Sequence, residues 1–204
     1  VSECSMSDQP DLPALLGSRL CHDLISPIGA IGNGVELLLL DGGSGKGQEL
    51  ALISESVAAL NARIRFLRIA FGVARPDQSI ARSEVAAILA DTVRTGRLSA
   101  EWISPADLAR REVKAAFLLI MCAEHALPHG GKITICQDEV GWSLTAQSPR
   151  LRVTSDLWAL ISTATYPPTL TPAEVQFPLA ALCLADLGRS PDLEQRDDTL
   201  RVSF

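Results

Sequence analysis

One histidine stands out among the side chains that could do chemistry. His22 lies in a stretch whose apolar residues recur at steps of three and four, a spacing that predicts an amphipathic helix from about Asp11 to Leu40. At about 100° per residue, His22 falls roughly opposite the centre of the apolar stripe, so its imidazole is presented to solvent in the middle of a helix. A neutral ring nitrogen in such a position is a potential nucleophile. The stripe consists of Leu16, Leu20, Leu24, Ile28, Ile31, Val35 and Leu38.

The residues on the helix face around His22 have small side chains or none. Ser26, Gly29 and Asn33 follow at steps of four, three and four, so they share the histidine's side of the helix. Glycine inside a helix costs roughly 0.5–1 kcal/mol relative to alanine, which indicates that something approaches the backbone closely. The alternative explanation is a tolerated kink, because Pro27 bends a helix by itself. The glycines of this segment are Gly29, Gly32 and Gly34.

A second helix is predicted from about Gln48 to Phe71, because its apolar residues repeat at steps of four and three. The glycine-rich run 41–47 predicts a turn between two antiparallel helices, and it lacks the residue order of a phosphate-binding loop. A single hairpin cannot cover both apolar stripes, whereas two copies would do so as a four-helix bundle, which predicts a homodimer. The alternative is that the rest of the chain covers the stripe. The repeat consists of Ile53, Val57, Leu60, Ile64, Leu67 and Phe71.

Antiparallel pairing places Phe66 of the second helix near the level of His22. Phe66 points away from the repeat, so we expect an exposed ring with Arg63, Arg65 and Arg68 around it. An exposed aromatic ring among arginines has the composition of an interface hot spot, although charged residues there are also typical of a solvated helix face. With His22 nearby, we interpret this region as a surface that binds an acidic partner domain.

The composition narrows the class of protein. With 204 residues, 47% hydrophobic and 21% charged, the chain is expected to form one large or two small globular domains. A net charge of −6 argues against nucleic-acid binding, and we expect neither a membrane span nor a secretion signal. Five cysteines without a C-x-x-C pair predict a reducing, cytoplasmic location. Residues 1–10 are expected to be a disordered leader.

A different pattern follows Arg75-Pro76-Asp77. Helices alternate with strands over residues 76–204, which predicts an α/β sandwich after a helical hairpin domain at 11–75. The predicted fold class is therefore α+β. Helices are expected at 80–95, 106–126, 155–162 and 173–187, and strands at 98–103, 132–137, 142–147, 192–195 and 199–204.

The run from His22 to Pro27 resembles the H-box of two-component histidine kinases: a phospho-accepting histidine, an acidic residue, a small polar residue four positions on, and then proline. Ile25 departs from the pattern, which often has a basic residue there. The longer run from Arg19 to Leu38 closely resembles the histidine phosphotransferases of alphaproteobacterial cell-cycle phosphorelays. The order of the later elements resembles the Bergerat-type ATP-binding domain of histidine kinases.

This resemblance implies a phosphoryl group carried by His22 between receiver domains. The expected partners are the receiver domain of a CckA-like hybrid histidine kinase and CtrA-like and CpdR-like response regulators, with Mg²⁺ held by the receiver. Asp23 is expected to accept a hydrogen bond from His22 and fix its tautomer, while Ser26 orients water or contacts the partner. The residues expected to bind the partner are Arg19, Ile25, Gly29, Asn33, Arg63 and Phe66.

The residues that hold Mg-ATP in histidine kinases are replaced in this chain. Leu118 and Cys122 stand where paired asparagines would be, and neither is a hard oxygen ligand. Residues 146–150 replace an Asp-x-Gly-x-Gly run, and residues 174–179 replace a glycine-rich lid, so we expect neither nucleotide binding nor autokinase activity. His125 and His129 are weak metal candidates, because a proline lies between them. Two alternatives stay open: an ATP-dependent kinase with a diverged site, and a non-catalytic scaffold that binds receivers.

Overall fold

Two long helices form an antiparallel hairpin at the start of the chain. Helix α1 spans Leu12–Leu40 and helix α2 spans Lys46–Ala70. The Asp11 side chain accepts a hydrogen bond from the Ala14 amide (3.1 Å), which satisfies one of the free amides at the start of α1. The helix continues through Pro27. This computed structural model describes residues 10–40, 46–93, 97–163 and 166–204.

Some expectations fall on residues outside those ranges. They are the leader at 1–9, the glycine-rich turn at 41–45 and the last residues of the helix expected at 80–95. No helix in the described part of the chain is long and apolar enough to cross a membrane.

The second half of the chain is an α/β domain. Its helices are α3 (Arg82–Val93), α4 (Arg110–Ala126), α5 (Ser155–Ala159) and α6 (Gln176–Asp186), with a 3-10 turn at Pro172–Glu174. Its strands are β1 (Ser79–Ala81), β2 (Leu98–Ile103), β3 (Asp107–Ala109), β4 (Gly131–Gln137), β5 (Trp142–Gln147), β6 (Asp192–Arg196) and β7 (Thr199–Ser203).

Five of these strands form one sheet in the order β2-β4-β5-β7-β6. Strands β2 and β4 are parallel, which requires the crossover that α4 supplies, and the other pairs are antiparallel. Helix α4 is buried on nearly all sides because it contacts the sheet, α2 and α6. The predicted α+β class, with a helical hairpin followed by an α/β domain, is confirmed.

Two short strands correct the predicted helix boundaries. Helices were expected to begin at residues 80 and 106, but β1 and β3 pair there and α3 and α4 begin at Arg82 and Arg110. A three-residue strand is too short to show the alternation by which a strand is recognised in a sequence.

The two ends of the hairpin have different surroundings. We define the proximal half as residues 12–27 and 58–70, which packs on the α/β domain, and the distal half as residues 28–40 and 46–57. In the proximal half, Leu20 and Leu24 join the core and Ile69 is buried. In the distal half, large apolar side chains stay exposed in the single chain. They are Ile28, Val35, Leu37, Leu39, Leu50, Leu52 and Val57.

The apolar stripe of α1 is therefore covered along part of its length by the α/β domain. For this part of the stripe, the structure agrees with the alternative expectation, in which the rest of the chain covers the hairpin in place of a second copy. The homodimer stays a prediction, for the distal half only.

Candidate functional site

The imidazole of His22 projects from the middle of α1 with 87% of its side chain exposed. Ser26 and Asn33 are also exposed, and so is the large apolar side chain of Ile25. The expected outward orientation of His22 agrees with the structure. These side chains form one open face, in which no bulky group of the described residues shields the ring.

The glycines of α1 serve different purposes. A Cβ at Gly29 or Gly32 would meet no heavy atom of the described residues within 4 Å, so these positions leave open space. At Gly34 a Cβ would lie 2.6 Å from Cγ1 of Ile53 on α2. The close approach of α1 to α2 therefore requires glycine at Gly34. Gly29 only leaves the exposed face of α1 without a side chain at that position.

Asp23 lies behind His22 and binds two arginines. Its Oδ2 accepts hydrogen bonds from Arg63 (2.6 Å) and from Nε of Arg19 (3.0 Å). Its Oδ1 lies 3.5 Å from Nδ1 of His22, a long contact compared with an ordinary hydrogen bond. Burial raises the pKa of the Asp23 carboxyl, but the Arg63 and Arg19 guanidiniums outweigh burial and hold the pKa below its ordinary value of 3.8.

The two arginines lie mostly inside the molecule. Only 17% of the Arg19 side chain and 18% of the Arg63 side chain are exposed. Arg19 also donates to the carbonyl of Ala173 in the 3-10 turn (3.1 Å). The sequence indicated that both arginines bind a partner, whereas in the structure both guanidiniums are engaged with Asp23.

The prediction that Phe66 is exposed beside His22 is wrong. Its side chain is fully buried and stacks on Phe117 of α4, with ring centroids 4.7 Å apart. The face of α2 opposite the apolar repeat is covered by the α/β domain, which helical periodicity within the hairpin could not reveal. The Arg63 guanidinium lies over the Phe66 ring, 5.4 Å from its centroid, so the buried ring makes a cation–π contact with Arg63.

Sequence reasoning gave no site role to Glu124 of α4. Glu124 and Arg63 line the same open cavity of about 430 Å³, which lies beside the H-box-like run. Burial raises the pKa of Glu124, with Arg63 and Arg19 opposing that rise and Asp23 adding to it. The signal in the sequence that could have pointed to Glu124 was a single carboxylate at the end of the long apolar run in α4. The polar side chains around the cavity are Asp23, Ser26, Ser56, Arg63, Asp91, Thr92 and Glu124.

The side chains that were expected to stand in place of nucleotide ligands are part of the core. Leu118 and Cys122 are completely buried in α4, and burial raises the pKa of the Cys122 thiol. His125 packs edge-on against the buried Phe177 ring (5.7 Å), and His129 is exposed. Among the described residues, no cluster of three or more metal-ligating side chains is present.

Comparison with known proteins identifies the family. The profile described as "Histidine phosphotransferase C-terminal domain" matches residues 82–199, more than half of the chain. The chain belongs to this histidine phosphotransferase family. The resemblance inferred from the sequence is thereby confirmed.

Two similar proteins can be compared with this chain in sequence and in structure. It is 35% identical over 127 residues to "Protein phosphotransferase ChpT" of Brucella abortus (strain 2308), in an alignment that spans 61% of this chain and 60% of that protein. A solved structure described as a bacterial phosphotransferase matches 100% of this chain and 98% of its own, with 28% identity and a TM-score of 0.79. The second match shows that the hairpin and the α/β domain recur together in that protein.

Proposed function

We propose that this chain is a phosphorelay intermediate that carries a phosphoryl group on His22. The donor is the phospho-aspartate of a receiver domain in a CckA-like hybrid histidine kinase, and the acceptors are aspartates of CtrA-like and CpdR-like response regulators. One observation carries the proposal: an exposed imidazole with a carboxylate directly behind it, in a chain of the histidine phosphotransferase family.

His22 supplies the nucleophile. Because Nδ1 faces Oδ1 of Asp23, a proton on Nδ1 is directed toward the carboxylate and Nε2 keeps the lone pair that attacks phosphorus. As the N–P bond forms, the bond from phosphorus to the donor's carboxylate oxygen breaks, and that oxygen leaves with the electron pair. The reverse exchange with a second receiver frees His22. The receiver would hold the Mg²⁺, so this chain contributes the position of the His22 imidazole and the charged groups around it.

The open face around His22 fits an approaching receiver. Ile25 offers apolar area, while Ser26, Gly29 and Asn33 leave room for a helix to lie close to α1. Ser26 also lines the cavity beside Asp23, so it can contact either the partner or a water molecule.

The phosphoryl group comes from a partner rather than from ATP. The buried side chains of Leu118 and Cys122 present no oxygen for a metal–nucleotide complex. Phe177, which stands in the run replacing the glycine-rich lid, is fully buried against Trp158 (5.5 Å). These contacts support a relay protein that does not phosphorylate itself.

We further propose a cytoplasmic homodimer. The exposed apolar side chains of the distal half supply the surface that a four-helix bundle would bury. The cysteines of the described residues are unpaired, as expected in a reducing compartment.

The test is a three-component relay with labelled phosphate, containing the hybrid kinase receiver, this chain and a response regulator. His22→Ala should abolish transfer to the regulator, because the phosphorus-binding nitrogen is lost. The matched control is His129→Ala, which removes another exposed imidazole and should leave the flux unchanged. Unchanged flux through His22→Ala would overturn the proposal.

The same assay separates the alternatives. Label from ATP in the isolated chain would indicate an autokinase. A scaffold would bind receivers without acquiring label, whereas a relay protein acquires acid-labile, base-stable label at His22.

A further inference from the structure

The guanidinium of Arg63 has carboxylates from two parts of the molecule around it. Asp23 of α1 accepts its hydrogen bond at 2.6 Å. Glu124 of α4 lines the same cavity, and the Arg63 and Arg19 guanidiniums oppose the rise that burial causes in the pKa of Glu124. One of these carboxylates contacts His22, and the other belongs to the α/β domain.

The α/β domain also supports Arg63 through an aromatic stack. The Phe66 ring lies beneath the guanidinium at 5.4 Å and stacks on Phe117 of α4 at 4.7 Å. Helix α4 therefore supports Arg63 indirectly, through the stack of Phe117 on Phe66, and places Glu124 on the wall of the cavity that Arg63 also lines. A loose surface arginine would have neither of these supports.

Arg19 is held by the α/β domain as well. The Ala173 carbonyl that accepts from Arg19 also accepts from Nε2 of the buried Gln176 at 2.8 Å. Arg19 is thus anchored outside the hairpin directly, whereas Arg63 is supported from there through the Phe66–Phe117 stack.

We propose that Glu124 is a positioning residue for His22, acting through Arg63 and Asp23. Its carboxylate balances the two guanidiniums on Asp23, so that Oδ1 of Asp23 keeps enough negative potential to hold the Nδ1 proton of His22. Helix α4, in which nucleotide ligands were expected to be replaced, thereby supports His22 through side chains of the hairpin. This inference rests on the proposed function for its effect on transfer, but not for its effect on the imidazole itself.

The substitution that tests it is Glu124→Gln, which keeps the shape of the side chain and removes its charge. The cluster then has two cations facing one carboxylate, which weakens the hold of Asp23 on the Nδ1 proton. Nitrogen-15 chemical shifts of the His22 ring should move toward those of a free imidazole, in which the proton favours Nε2. This measurement needs no receiver.

The transfer assay adds a kinetic test on the full-length chain. Glu124→Gln should lower the transfer rate at saturating receiver by about fivefold to tenfold, the size of coupling expected between charged neighbours. The receiver concentration at half-saturation should stay the same, because the proposed role of Glu124 is to hold the tautomer of His22 and not to contact the receiver. In an Arg63→Met background, Glu124→Gln should have little further effect.

Asp91→Asn is the matched control. Asp91 lines the same cavity but pairs with Arg65 at the surface, so its loss should change neither the ring shifts nor the rate.

The outcomes are distinguishable. Shifts and rates like those of the wild type in Glu124→Gln, or additive losses with Arg63→Met, would overturn the positioning role while leaving the relay intact. Failure of the wild-type chain to acquire label would overturn the proposed function, and the ring shifts would still decide whether Glu124 acts on His22.

Discussion

The proximal and distal halves of the helical hairpin differ sharply in what covers them. Of the nine large apolar side chains that the described hairpin residues leave exposed, seven lie in the distal half. In the proximal half, Phe66, Leu67 and Ile69 enter the core of the α/β domain instead. The apolar side chains of the proximal half are therefore buried against the α/β domain of the same chain. Those of the distal half stay exposed among the described residues.

His22 lies near the boundary between these halves. Its own side chain faces solvent, while Asp23, the next residue, lies against the α/β domain through Arg19 and Arg63. The exposed His22 ring therefore belongs to the open surface, whereas the charged groups around Asp23 belong to the junction that the α/β domain covers. The predictions below test the two halves separately.

The largest effect is expected from Phe66→Ala in the proximal half. Removing a completely buried ring leaves a cavity beside Phe117 and should cost about 3–5 kcal/mol of unfolding free energy. Urea unfolding followed by circular dichroism measures this cost. Val73→Ala, at an 83% exposed position, is the control and should change stability by less than about 0.5 kcal/mol. A similarly small change for Phe66→Ala would mean that the junction is not packed as described.

In the distal half, the double substitution Ile28→Glu and Val57→Glu should disrupt the proposed dimer. Each large aliphatic side chain transferred from water into an interface contributes about 1.5–3 kcal/mol, so the dissociation constant should rise by about 100-fold or more. Sedimentation velocity measures the change. Ile103→Glu, at an exposed site on β2, should leave the association unchanged. A wild-type chain that is monomeric at all concentrations would contradict the dimer.

Asp23→Asn tests the charges of the junction. The pKa of Asp23 is lowered in the folded chain, so its contribution to stability is present above pH 3.8 and is lost as the pH falls through the folded value. The variant should be less stable than the wild type by about 2 kcal/mol near neutral pH, the scale of hydrogen bonds to charged groups. The difference should shrink toward zero below pH 3.8. Urea unfolding across this pH range would refute the prediction if the difference were independent of pH.

The smallest effect is expected from Gly29→Trp on the exposed face. The site has open space around Cβ, so the fold and the dimer should persist while an approaching receiver is obstructed. We expect the affinity for the receiver to fall by about tenfold, or 1.4 kcal/mol, in calorimetry. Gly17→Trp, at an equally open position on the same helix, is the control. Unaltered affinity in Gly29→Trp would remove Gly29 from the docking face.

The sequence was informative wherever periodicity extended over many residues. The apolar repeat predicted α1 to within a residue of its observed bounds, and alternation predicted β5 at Trp142–Gln147. The same periodicity placed His22 on the outer side of α1. These features depend on local spacing alone.

Contacts between distant parts of the chain were not predictable in this way. Phe66 was expected on the surface because a helical wheel for α2 takes no account of α4, which covers that side. The pairing of Arg63 with Asp23 joins residues forty positions apart, and Glu124 lines the same cavity from a third helix. Such a cluster leaves no periodic signal, because its members share no element.

Pro27 gives α1 a local property that its neighbours lack. Proline has no amide hydrogen, so the carbonyl of Asp23, four residues earlier, cannot make the usual bond within the helix. The backbone beside His22 can therefore bend without breaking a hydrogen bond there, because that bond never forms. If the proposed relay is correct, this bend would let a helix as long as α1 adjust its angle beside His22 to each of two receiver domains.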